Sequence, residues 1–323
     1  MIYIFILMKE NTMQKISKKL KICFYSAIAI AFLSVILLTA SVFTAYDASE
    51  NYLQKAPLPT IFTCLVAAGV IFSVATLFII PKGELNGDSP LTLPVSIASA
   101  FTGITFLIAA IVIYGTAFDL GGLASKIPGI SGNPQPLLIL CGILTLISVV
   151  YFISNCFMTS EDRKYTLALV GFAAPATGIL YVAISYFDIS VSINAHIKIL
   201  FHYSMISFVI WMLYEIRSML GKAMPRIYFA LGLITVIFSS VSSIPWLIGF
   251  AAGKLTGPIN PSYIIYGLIS LGICVYTTVR LYVFVSARAL LERIADQTPI
   301  DEAEFEPLDN EEAENEEEES EEQ

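Results

Sequence analysis

The stretch AHIKILFHYSMISFVIWMLYEIRSML, residues 195–220, decides whether this chain folds around a protein core or within a lipid bilayer. As a helix rising about 1.5 Å per residue, it is long enough to cross a hydrocarbon layer about 30 Å thick. Five of its side chains are ionisable: His196, Lys198, His202, Glu215 and Arg217. All except His202 lie near an end of the stretch, where polar tips can reach water. The pattern therefore indicates a membrane helix.

The rest of the chain repeats this pattern. Hydrophobic residues make up 56% of the 323, above the roughly 45–50% that is usual in soluble domains. Lipid offers backbone groups no hydrogen-bond partner, so each long apolar window should be helical. The windows lie near residues 22–45, 60–80, 94–117, 136–157, 165–187, 196–216, 226–250 and 262–285. The predicted fold class is thus all-α, a polytopic transmembrane helix bundle with eight spans.

The distribution of Lys and Arg predicts the orientation, because these residues are retained preferentially on the cytoplasmic side. If eight spans alternate, thirteen of them fall on one side, and only Lys55, Lys126 and Lys254 fall on the other. We therefore expect both termini to be cytoplasmic, in a multi-pass protein of the plasma membrane. No glycosylation sequon with a permitted middle residue occurs, which fits a bacterial protein.

Four regions follow from this reading. Residues 1–21 form a basic cytoplasmic N-terminus, whose true start is alternatively Met13, and residues 22–285 form the transmembrane domain. Residues 286–296 continue as a cytoplasmic helix, since apolar residues recur there at helical spacing. Residues 297–323 are acidic and almost free of apolar side chains, so this tail should be disordered.

The charge of the tail bears on partners. Fifteen of the 26 acidic residues lie from Asp296 onward, and all 18 Lys and Arg precede that point. Such a tail either docks a basic protein partner or serves as a solubilising appendage. The lipid bilayer is the other expected partner. No nucleic-acid partner, metal or cofactor is expected, because the basic residues follow the topological bias and the five cysteines form no ligand spacing.

A candidate polar path involves the fifth, sixth and seventh spans. Pro175 interrupts helical hydrogen bonding within GFAAPATG, where we expect a kink or break, and His202 can titrate near neutral pH. The candidate residues are Pro175, His202, Tyr203, Ser207, Ser239 and Ser243. The alternative is structural: interfacial anchors, close helix packing at small residues, and hydroxyl groups bonded to their own helices.

Glu215 and Arg280 form a candidate ion pair, because each lies close to the predicted inner interface in its span. Such a pair would join the sixth span to the eighth. Alternatively, Glu215 emerges at the inner face and Arg280 extends separately to the aqueous rim.

Two short motifs raise the question of catalysis. GISG at residues 129–132 is similar to the GxSG of rhomboid intramembrane proteases, and AHI at 195–197 resembles the start of their AHxxGxxxG-type motif. That resemblance implies Ser131 as nucleophile and His196 as its base. Ile199 and Tyr203 stand where the family has glycines.

Three hypotheses about function follow. The first is a non-enzymatic accessory, scaffold or sensor component, because the spans contain few charges and the acidic tail suits protein contacts. The second is a small-solute or proton-coupled permease that uses spans five to seven, with its solute unknown. The third is a rhomboid-like serine protease.

Overall fold

The fold is that of a computed structural model, in which α-helices account for almost all of the described residues. The structure describes residues 2–47, 52–54, 56–79, 92–118, 135–157, 164–187, 195–255 and 261–297.

Nine helices and two short strands occur within that part of the chain. In order they are α1 (Ile2–Ala45), β1 (Tyr46–Asp47), β2 (Tyr52–Leu53), α2 (Pro57–Ile79), α3 (Leu93–Ala117), α4 (Gln135–Phe157), α5 (Lys164–Gly171), α6 (Ala173–Phe187), α7 (His196–Met219), α8 (Pro225–Ala251) and α9 (Pro261–Gln297). Eight segments are long and apolar enough to cross a membrane, with α5 and α6 together forming the fifth. The predicted all-α bundle with eight spans is confirmed.

Two helices are longer than the predicted apolar windows. α1 begins at Ile2, before the window near 22–45, and α9 continues beyond the window near 262–285 to Gln297. The predicted helical extension, residues 286–296, therefore lies within α9, whereas the acidic tail beyond Gln297 lies outside the described residues.

A two-stranded hairpin follows α1, which the all-α prediction did not include. Tyr46 pairs with Leu53 and Asp47 with Tyr52 in antiparallel register. The Tyr46 ring packs edge-on against Trp246 of α8, with centroids 5.9 Å apart. Burial, together with the neighbouring Asp47 carboxylate, raises the pKa of Tyr46 to about 12. Its hydroxyl group is therefore neutral at physiological pH.

The fifth span is broken at Phe172, between α5 and α6. The Phe172 amide donates to the Leu169 carbonyl, and the Ala176 amide donates to the Phe172 carbonyl, each over 3.3 Å. Pro175 is therefore the third residue of α6, a position where a helix has no acceptor for an N–H group. The break fits the expected kink, and the carbonyl groups of Leu169 and Phe172 have backbone donors.

Five of the spans form a closed ring of contacts. α3 contacts α4, α4 contacts α6, α6 contacts α7, α7 contacts α9, and α9 contacts α3. α8 packs outside this ring against α7 and α9, and α1 and α2 pack against α8. α7 contacts both α6 and α8, whereas α6 and α8 have few or no contacts with each other.

Aromatic side chains fill the centre of the ring. Phe106 of α3 contacts Phe152 of α4 and Phe208 of α7, with centroid separations of 5.2 and 6.5 Å. Phe152 also lies edge-on to Tyr276 of α9 at 5.2 Å. These rings are all buried. The centre at this level is therefore packed protein, and the helices are held by van der Waals contact.

Candidate functional site

The buried charges of the bundle meet where α7 packs against α9. The Arg280 guanidinium donates through Nη2 to Oε1 of Glu215, and both side chains are at most 5% exposed. Glu215 lies one turn before the end of α7, near the connection from α7 to α8. The structure thus brings the two candidate residues together, away from the aqueous rim that the alternative reading required.

This pair differs from the neighbouring Arg217. The Arg217 side chain is directed to the end of the helix, where its Nε donates to the Lys222 carbonyl oxygen over 2.8 Å in an exposed position. Glu215, only two residues away, faces α9 because a helix turns about 100° per residue. Sequence depth alone placed both residues at the rim, whereas the helix face separates them.

Three tyrosines surround the ion pair. Tyr151 of α4, Tyr228 of α8 and Tyr276 of α9 each interact electrostatically with both charges. Four helices therefore contribute polar groups to one place. Trp211 packs against Tyr228 and Tyr276, with ring centroids 5.5 and 5.8 Å apart, and Asn155 hydrogen-bonds to Tyr151. We call Tyr151, Asn155, Trp211, Glu215, Tyr228, Tyr276 and Arg280 the ion-pair cluster.

A buried ion pair of this kind has a specific energetic character. Removing two charges from water is expensive, and their attraction only roughly compensates for that loss. Loss of one partner, however, leaves an isolated charge in a medium that solvates it poorly, at a cost of about 3–5 kcal/mol. The pair therefore adds little net stability when intact, although removal of either partner is costly.

At the opposite end of α7 the structure places Lys198 and His202. Lys198 is 1% exposed, although the sequence predicted that its tip reaches water near the end of the span. His202 Nε2 lies 3.2 Å from Ser185 Oγ, and this hydrogen bond joins α7 to α6. His202 is therefore held by a neighbouring span, as its depth required.

The other residues of the candidate path are distributed over different surfaces. Tyr203 is 51% exposed on the outside of the bundle, where its ring contacts Phe238 at 5.2 Å. Ser207 Oγ donates to Ser204 O over 2.9 Å within its own helix. Tyr203 therefore packs against α8, and Ser207 bonds within α7.

The serines of α8 also bond within their helix. Ser239 Oγ donates to Thr235 O over 2.6 Å, and Ser243 Oγ donates to Ser239 O over 2.7 Å. Pro175 lies on α6, and α7 contacts both α6 and α8. Two of the candidate path residues have side-chain hydrogen bonds to another span: His202 to Ser185 of α6, and Ser239 to Cys274 of α9.

Of the two residues of the protease resemblance, the structure describes His196. Ser131 lies outside the described residues. His196 begins α7, and its ring lies 5.1 Å from that of Tyr52 in the hairpin. The described contacts of His196 are therefore those of a residue packed against the hairpin.

Sequence reasoning did not identify five members of the ion-pair cluster: Tyr151, Asn155, Trp211, Tyr228 and Tyr276. Each lies in an apolar span, where aromatic residues are ordinary and an isolated asparagine gives no periodic signal. A useful signal was available in their depth. Each lies within about three turns of the same end of its span as Glu215 and Arg280.

Comparison with known proteins adds nothing to these observations. No protein family, curated protein sequence or solved structure matches this chain.

Proposed function

We propose that the protein is a non-enzymatic accessory or scaffold component of the plasma membrane, with both termini in the cytoplasm. The observation that carries this proposal is the use of the buried polar groups. The Glu215–Arg280 pair joins α7 to α9, and the His202–Ser185 bond joins α6 to α7. These groups serve to hold the spans to one another.

Hydroxyl contacts between other helices support the same function. Ser148 Oγ lies 3.0 Å from Thr177 Oγ1, joining α4 to α6. Ser242 Oγ lies 3.2 Å from Ser270 Oγ, joining α8 to α9. A bundle fixed at several depths is suited to presenting a constant surface to partners, whereas a carrier must rearrange its helices around a solute.

The acidic C-terminal segment supplies the chemistry for a partner. It follows α9, which continues beyond the last span as a helix to Gln297. The fifteen acidic residues from Asp296 onward have no Lys or Arg among them. We infer that this segment binds a basic cytoplasmic or membrane-associated protein segment, through attraction that weakens as salt is added.

The test compares three full-length chains in the same cells. One is unchanged, one has every Asp and Glu after residue 296 replaced by Asn and Gln, and one has the same acidic tail residues in a shuffled order. We expect the shuffled tail to retain, and the neutral tail to lose, a protein that crosslinks through a Lys- and Arg-rich segment. Equal membrane levels of the chains provide the control. Recovery of the same partners by the neutral tail would contradict the proposal.

A second candidate is a proton-coupled permease, favoured by the His202–Ser185 contact beside the broken fifth span. In that case His202→Ala should abolish solute uptake while Tyr203→Phe, on the outside of the bundle, should leave it unchanged. Uptake of candidate solutes into vesicles containing the purified chain measures this difference. Under the accessory function, both variants retain the tail-dependent partner.

A further inference from the structure

Ring contacts show which helix ends lie together in the bundle. Phe229, near the start of α8, contacts Phe284, near the end of the eighth span, with ring centroids 6.0 Å apart. Towards the other end of the same two helices, an added Cβ at Gly267 would lie 3.2 Å from the Leu247 side chain. α8 and α9 are therefore antiparallel, and the start of α8 lies at the same end of the bundle as the C-terminal part of α9.

Basic side chains from α1 and from the turn between α7 and α8 lie at this end as well. The Phe24 ring of α1 is 6.4 Å from the Tyr282 ring of α9, centroid to centroid. α7 ends here, because residues 220–224 connect it to the start of α8. What we call the basic end consists of Lys18, Lys19, Lys21, Arg217, Lys222 and Arg226.

The charge of the basic end is exposed and unbalanced among the side chains that the structure describes. Lys18, Lys19 and Lys222 are exposed to solvent. The acidic side chain described at this end is Glu215, which is buried and paired with Arg280. The described part of the basic end therefore favours an anionic partner.

The chain itself supplies an acidic segment at the same end. α9 continues beyond Ser286 to Gln297, a rise of about 16 Å at 1.5 Å per residue. Residues 298–323 follow, rich in Asp and Glu and without Lys or Arg. At about 3.3–3.6 Å per extended residue they can span up to about 90 Å, which is ample to return to the basic end. Tethering gives such a segment an effective concentration in the millimolar range.

We propose that residues 298–323 bind the basic end of their own bundle, where their carboxylates contact Lys18, Lys19 and Lys222. The attraction acts between exposed opposite charges, so it weakens as salt is added. A basic segment of a partner protein must displace these lysines before it can bind the tail. That competition rests on the proposed function, whereas the contact within the chain does not.

Carbodiimide coupling of the purified full-length chain tests the contact, since the reagent joins a lysine amine directly to a carboxylate that touches it. Lys222 and Lys254 are matched reporters, because both are exposed and they flank the start and the end of α8. We expect residues 298–323 to couple several-fold more to Lys222 than to Lys254, each yield being divided by that lysine's reactivity towards an amine reagent. Most of the difference should disappear between about 0.1 and 1 M salt. Equal coupling to the two lysines would overturn the proposal.

Two further arms identify what occupies the basic end. In a mixture of isotope-labelled and unlabelled chains, the coupled peptides should carry one isotope only. Mixed peptides at the random frequency would assign the basic end to the tail of a second copy. In vesicles, Lys222 should retain most of its coupling when anionic lipid replaces part of the zwitterionic lipid. Loss of that coupling would assign the basic end to lipid headgroups, and either result would overturn the proposal.

Lys18→Gln combined with Lys19→Gln provides the second measurement, because it removes two exposed charges and leaves the Lys222 reporter in place. Coupling of residues 298–323 to Lys222 should fall by about two-fold or more, as exposed ion pairs are individually weak. Unchanged coupling would contradict the proposed contact.

The two proposals fail separately. If neutralising the tail releases a partner but Lys222 and Lys254 couple equally, the proposed function stands and the contact within the chain is wrong. If Lys222 couples selectively but the neutral tail retains every partner, the contact stands and the proposed function is wrong.

Discussion

Thr102 Oγ1 on α3 lies 2.8 Å from the carbonyl oxygen of Gly272 on α9. Thr102 Oγ1 also lies 2.8 Å from the carbonyl oxygen of Ala98 within α3. This approach requires a glycine, because a Cβ at residue 272 would lie 2.2 Å from Thr105 Oγ1. A hydroxyl group and a missing side chain thus bring the third and eighth spans into contact, as small residues commonly do in membranes.

Gly272→Ala should destabilise the protein by about 1–3 kcal/mol, the usual cost of forcing an extra methyl group into a packed interior. Thermal unfolding in detergent measures the effect. Thr105→Ala in the same chain should recover most of the loss, because it removes the closest atom. Gly267→Ala is the matched control on α9, since its nearest neighbours are flexible atoms of Leu247 at 3.2 Å. A loss in the control equal to that of Gly272→Ala would contradict this account.

Tyr181→Phe should have a small effect, although it removes a buried hydroxyl group. Its partner Thr145 Oγ1 donates to Cys141 O over 2.7 Å and so keeps one hydrogen bond in the variant. Hydrogen bonds between membrane helices average about 0.6 kcal/mol in double-mutant cycles. A double-mutant cycle that combines Tyr181→Phe with Thr145→Val should give a coupling free energy of about 0.6 kcal/mol. Tyr186 is 55% exposed on the same helix, so Tyr186→Phe should leave the stability unchanged. A Tyr181–Thr145 coupling several times larger would contradict the prediction.

Pro175→Ala should change stability by less than about 1 kcal/mol, because the third residue of α6 has no acceptor for its amide in the helix. Ile179→Pro is the matched comparison in the interior of α6, where a proline should cost about 3 kcal/mol or more. Ile179 is 58% exposed, so the substitution tests the backbone rather than core packing. Comparable losses for both variants would mean that the break at Phe172 does not depend on local helix hydrogen bonding.

Much of the fold could be predicted because a bilayer imposes a simple length requirement. The seventh window, predicted near 226–250, corresponds closely to α8 at Pro225–Ala251. The position of the break in the fifth span was less accessible. Pro175 indicates that hydrogen bonding is interrupted nearby, whereas the turn itself occurs at Phe172 because a proline is accommodated best within the first turn of a new helix.

The candidate site was harder to predict, because helical periodicity tells which residues share a face but not what that face meets. Tyr203 lies on the outside of the bundle, although it was assigned to a polar path. Glu215 and Arg280 could be proposed as partners from their similar depths. Their burial among tyrosines depends on how four helices pack, which no single span encodes.

The Glu215–Arg280 pair gives the most direct test of the central claim, that buried charges here fix one span against another. Glu215→Gln and Arg280→Gln should each cost about 3–5 kcal/mol, because each leaves one buried charge without its partner. The double variant should lose markedly less stability than the sum of the two single losses, because it contains neither charge. The free energy of unfolding in a bilayer, measured for all four chains, decides between the outcomes. Additive losses in the double variant would contradict the claim.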